Sequence, residues 1–105
     1  MKNLKNTDWI SALENDEKGI MIDVRTPAEW NEGVIDERAY FMDVMNEADF
    51  QKKAGELDKS KNYYVYCRSG KRSQKACEIL ENKGVDKTFN LEGGILDWNK
   101  SLEQI

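Results

Sequence analysis

The chain alternates short apolar runs with stretches in which apolar residues recur at three- and four-residue spacing. The first such stretch puts Trp9, Ile10 and Leu13 on one helical face, with Asn6 or Thr7 available as its cap. Gly19-Ile20-Met21-Ile22 then reads as a buried strand running into Asp23-Val24-Arg25. Thr26, Pro27 and Glu29 spell a helix start: a hydroxyl cap, a ring whose fixed φ suits the first helical position, and a carboxylate that can reach back to the cap. Trp30 falls on its early turn and Gly33 is a natural stop. Residues 39–42 predict a short strand, and Phe50, Ala54 and Leu57 predict a helix over 47–57. Tyr63 to Cys67 is aromatic and branched, as strands are, while Ala76, Cys77 and Leu80 share one face of a helix predicted over 73–83 and stopped by Gly84. Residues 88–91 read as a last strand, Gly93-Gly94 as a turn, and 95–102 as a closing helix with Trp98 turned inward.

Strands that alternate with helices predict an α/β fold with a mostly parallel sheet, whose functional site lies at the carboxyl ends of the strands. With one proline, no repeat and no low-complexity tract, the 105 residues read as one domain spanning 1–105. Three Trp, four Tyr and three Phe supply a core and argue against disorder. The net charge of −4 is spread along the chain without a basic stripe, so nucleic acid is not an expected partner. No run approaches the ~18 apolar residues of a membrane span, and Met1-Lys2-Asn3-Leu4 leads into polar residues rather than a signal-peptide core. The expected location is cytoplasmic, where two cysteines stay free thiols.

The absence of histidine changes the chemistry most, because it excludes Ser-His-Asp and Cys-His activation within the chain. It also removes the commonest zinc ligand, and two cysteines cannot build a four-thiolate site, so no metal and no cofactor are expected. One constellation remains. Cys67 ends a strand, and Arg68-Ser69-Gly70-Lys71-Arg72 leads into a helix whose unpaired N–H groups and positive dipole end face the thiol. Three cations within five residues, with a glycine that lets backbone amides turn inward, favour an anion there and a nucleophilic thiolate without a histidine base. Arg68 and Lys71 are the side chains expected to attract an anionic substrate. Cys77, on the apolar helix face, reads as core packing, as do Trp30 and Trp98. Asp23, Arg25, Glu29 and Glu92 read as ion pairs that hold the fold, with Asp23, Arg25 and Trp30 as candidates to support the site.

With these pieces in order, the whole chain resembles the rhodanese homology domain in its small single-domain form. The resemblance rests on Ile22-Asp23-Val24-Arg25, Thr26-Pro27-Ala28-Glu29-Trp30, Gly33, Val65 through Ser73, and Leu91-Glu92-Gly93-Gly94-Ile95 with Trp98. It implies a three-layer sandwich, a five-stranded, mostly parallel sheet with helices on both faces. It also implies a sulfurtransferase in which Cys67 takes a sulfane sulfur from a small anionic donor such as thiosulfate, or from a persulfide. The sulfur then passes to cyanide, a thiol or a sulfur-relay protein, and Arg68 through Arg72 cradle the persulfide. After Gly33 the family usually reads His-Ile-Pro-Gly-Ala, whereas this chain has Val34-Ile35-Asp36-Glu37-Arg38-Ala39. Two other readings compete. A phosphatase or arsenate reductase also uses a cysteine in an anion loop, but with arginine six residues on, where this chain has Ser73. A docking module of the same fold needs no cysteine, and Cys67 is present.

Overall fold

The apolar runs of the chain lie side by side in the computed structural model, which describes residues 1–104. The strands are β1 (Lys2–Leu4), β2 (Gly19–Asp23), β3 (Tyr40–Phe41), β4 (Asn62–Tyr66) and β5 (Lys87–Leu91). They form one sheet in the order β1-β5-β4-β2-β3, with every neighbouring pair parallel. Asp23 pairs with Tyr66, so β2 and β4 end level and deliver Val24, Arg25 and Cys67 to the same edge.

The central strand explains the layering. Tyr63, Val65 and Cys67 point to one face and Tyr64 and Tyr66 to the other, and all five are buried, as expected for a parallel strand covered on both sides. On the Tyr64 face lie α1 (Asn6–Glu14), α2 (Pro27–Asn31) and a 3-10 turn over Gly94–Asp97. Trp9 is fully buried there, packs edge-on against Tyr64, Tyr66 and Trp98, and donates its Nε1–H to the Phe89 carbonyl at 3.2 Å. On the Val65 face lie α3 (Glu47–Glu56) and α4 (Lys71–Asn82), where Phe50, Ala54, Ala76, Cys77 and Leu80 meet Ile22 and Val65. Burial pushes the Cys77 thiol up to about 12, which suits the core role read for it. The fold is the three-layer α/β arrangement anticipated above.

Four local expectations need correcting. The first helix starts at Asn6 itself, with Lys5 as a cap that makes no side-chain bond, so neither Asn6 nor Thr7 caps it. The edge strand β1 was not anticipated, and α4 begins at Lys71 rather than Ser73. The closing helix shrinks to the 3-10 turn, after which Trp98 is extended (φ −71°, ψ 127°). The chain then returns so that Val34 and Glu103 exchange both backbone bonds, at 2.8 and 2.6 Å. Together with Ile35 N–H donating to the Tyr66 hydroxyl at 3.3 Å and the Asp36–Arg38 ion pair at 2.8 Å, that bridge holds the 34–39 segment in place. Among the described residues, no helix is long and apolar enough to cross a membrane.

Candidate active site

Cys67 is the first residue after β4, and its side chain is fully buried. Three further residues close a tight loop before α4. Gly70 makes the closure: its φ of 95° is left-handed, and a Cβ there would lie 3.2 Å from both the Gly93 nitrogen and the Leu91 carbonyl oxygen. That conformation points the Gly70 N–H at Cys67 Sγ, 3.1 Å away, and lets the helix begin at once. Ser73, in the first turn, brings its N–H to 3.4 Å and its Oγ to 3.3 Å from the same sulfur. The N–H groups of Arg68, Ser69, Lys71 and Arg72 donate to no protein acceptor among the described residues. The Gly93-Gly94 turn holds the other side of the loop: Ile95 N–H donates to the Cys67 carbonyl at 3.1 Å and Leu96 N–H to the Arg68 carbonyl at 3.0 Å. With its carbonyls drawn toward that turn, the loop keeps its N–H groups for an anion.

The charged residues divide in a way the sequence left open. Arg72 forms a bidentate pair with Glu29, at 2.8 and 2.9 Å, which joins the start of α4 to α2. The guanidinium holds the Glu29 carboxyl down at about 2, helped by the predicted capping box with Thr26. Arg72 therefore offers the site its backbone and half of a neutralised pair. Arg68 and Lys71 are exposed at the rim with no carboxylate within 4.0 Å among the described residues, and Ser69 is exposed beside them. A cleft of about 140 Å³ runs along this rim past Ser69, Gly70, Lys71 and Asn90.

Asp23 and Arg25 form a buried ion pair at 2.7 Å, and Arg25 also donates to the Gly33 carbonyl at 2.7 Å, with its guanidinium 5.7 Å from the Tyr66 ring centroid. The pair ties β2 to residue 33 and makes no bond to Cys67. Trp30 packs on Phe41, ring centroids 5.1 Å apart. Glu92, expected to pair, is exposed and has no cation within 4.0 Å among the described residues. Two polar residues of the site, Ser73 beside the thiol and Asn90 behind the loop, have no role at Cys67 legible in the sequence. Ser73, expected at the start of the helix and in the run that carries the resemblance, also touches Sγ. Asn90 is buried on β5 and bonds both Ser73 Oγ and the Gly70 carbonyl. A polar residue within a predicted strand was the available signal for Asn90.

Comparison with known proteins places the chain by sequence and by fold. The family model for the rhodanese-like domain matches residues 6–101. A putative sulfurtransferase, YtwF, of Bacillus subtilis is 40% identical over 86 residues, covering 82% of this chain and 79% of that protein. A sulfurtransferase of Allochromatium vinosum is 34% identical, covering 82% of this chain and 77% of its own length. A tRNA uridine(34) hydroxylase of Pelagibacter ubique is 35% identical, and there the chain spans only 35% of the larger protein. The crystal structure of a rhodanese-like domain protein from Staphylococcus aureus superposes with a TM-score of 0.83 at 28% identity, covering 100% of this chain and 99% of that one. The chain belongs to the rhodanese-like domain family.

Proposed function

We propose that this protein is a sulfurtransferase that carries one sulfane sulfur as a persulfide on Cys67. One observation carries the reading: a lone thiol at the end of the central strand accepts from two backbone N–H groups while four more loop N–H groups have no protein acceptor. Such donors stabilise negative charge on Sγ and on a sulfur attached to it. The sulfurtransferase names of the Bacillus and Allochromatium relatives support the same reaction class.

The steps follow from that placement. The Cys67 thiolate attacks the outer sulfur of thiosulfate; the Sγ–S bond forms, the S–S bond of the donor breaks, and its electron pair leaves as sulfite. Cyanide or a thiolate then attacks the outer sulfur of the persulfide and leaves as thiocyanate or a new persulfide, while the Sγ–S bond breaks and returns the thiolate. No proton moves in either step, so a chain without histidine needs no base for them. Arg68 and Lys71 at the rim attract the anionic donor, and the N–H groups of residues 68–72 hold the outer sulfur. Ser73 in place of an arginine at the sixth position after the cysteine weighs against phosphoryl chemistry, whose anion needs donors for three further oxygens.

Steady-state turnover of thiosulfate and cyanide to sulfite and thiocyanate tests the proposal. The natural protein turns over and Cys67→Ser does not; equal activity in the two would overturn it.

A further inference from the structure

The Asn90 amide is 2% exposed and makes three side-chain hydrogen bonds. The Gly70 carbonyl, 3.1 Å away, can only accept, so the atom facing it is the amide nitrogen, which also donates to Asn3 Oδ1 at 2.9 Å. The atom facing Ser73 Oγ is then the amide oxygen, and it accepts the Ser73 hydroxyl proton. One side chain thus holds Gly70 and Ser73, the two residues whose N–H groups meet Cys67 Sγ from the two ends of the loop. Fixing the Gly70 carbonyl toward β5 also turns the Lys71 N–H of the same peptide away from Asn90, because C=O and N–H point in opposite directions across a planar trans peptide.

Resting on the sulfurtransferase reading, we propose that Asn90 is a positioning residue for sulfur transfer: its clamp on the Gly70 carbonyl and the Ser73 hydroxyl aims the loop's N–H groups at Cys67. It acts on the chemical steps and not on capture of the donor, which belongs to the exposed Arg68 and Lys71. A shift of the loop by ~1 Å costs up to ~100-fold in rate.

Asn90→Leu keeps the count and branching of side-chain heavy atoms, although it is bulkier, and removes all three bonds. The expected result is kcat for thiosulfate lower by about tenfold or more, with KM within about twofold of the natural protein. Loss of Asn90 also frees the Ser73 hydroxyl to turn toward Sγ, so the substitution is repeated in a Ser73→Ala background, where the Gly70 arm remains and a further fall in kcat is expected. If Asn90→Leu does not fold, Asn90→Asp, which retains an acceptor for Ser73 but loses the donor to Gly70, is judged by the same criterion. A second readout needs no turnover. Cys67→Ala moves the Gly70 amide proton resonance by removing its acceptor, and Asn90→Leu is expected to move it in the same sense. An unchanged kcat in folded Asn90 variants of an active protein, or an unmoved Gly70 resonance, would overturn the positioning role. An inactive natural protein with a moved resonance would overturn the sulfurtransferase reading and leave the clamp standing.

Discussion

Replacing Gly94 by alanine inserts one methyl group where the 3-10 turn leans on the Cys67 loop. Gly94 has φ of 59°, and a Cβ on it would lie 2.4 Å from the Arg68 carbonyl oxygen and 2.6 Å from the Cys67 carbonyl oxygen. Both obstacles are backbone, so no side chain can swing away. Opening 2.4 Å to the 3.0 Å below which real Cβ contacts are essentially not found requires a shift of at least 0.6 Å. That shift strains the bonds from Ile95 and Leu96 to the same two carbonyls. The left-handed backbone costs alanine ~1–2 kcal/mol and overpacking a further ~1–3 kcal/mol, so the expected loss is about 2–5 kcal/mol. For a domain near this size, that lowers the melting temperature by at least ~8 °C. A loop displaced by over half an ångström should also lose about tenfold or more in sulfur-transfer rate. Thermal unfolding by circular dichroism and thiosulfate turnover below the transition measure the two effects. Gly55→Ala is the control: nothing lies within 4 Å of its Cβ, and on α3 it should gain ~0.5–1 kcal/mol. A Gly94→Ala protein that melts within about 2 °C of the natural one and retains full turnover would refute the claim that the closing turn sets the loop.

Asp23→Asn strips the partner from the 4%-exposed Arg25 and should cost about 3–5 kcal/mol in chemical denaturation. Cys77→Ala vacates a fully buried site and should lose about 1 kcal/mol or more with turnover largely retained; a folded variant without turnover would give Cys77 a part in the chemistry. Because Glu29 is depressed to about 2 from an ordinary 4.5, its contribution is complete above pH 4.5 and drains away as pH falls through about 2. Glu29→Gln should therefore flatten that part of the stability–pH curve, and an unchanged curve would remove the Arg72 pair from the account.

Much of this architecture was readable from local pattern, because the buried strands and the two long helix faces carry their own periodicity. The capping box at Thr26 and Glu29 was readable for the same reason: all its groups lie within four residues. What escaped depends on distant partners. β1 has three residues, two of them exposed, and is a strand only because β5 lies beside it. The predicted closing helix stops early because the chain turns extended at Trp98 and returns to pair Glu103 with Val34, a partner that the local pattern cannot reveal. At the site, the thiol, the glycine and the unclaimed amides were visible as a motif. The pairing of Arg72 with Glu29, 43 positions away, and the reach of Asn90 to Gly70, 20 positions away, were not, since side-chain direction is set by packing.

The central claim is that Cys67 itself holds the transferred sulfur, and intact-protein mass spectrometry tests it most directly. Reduced protein incubated with thiosulfate should gain the mass of one sulfur atom, lose it on addition of cyanide, and gain nothing when Cys67 is replaced by serine. Natural protein that takes up no sulfur from thiosulfate or from a persulfide donor, or a Cys67→Ser protein that takes it up equally, would contradict the account.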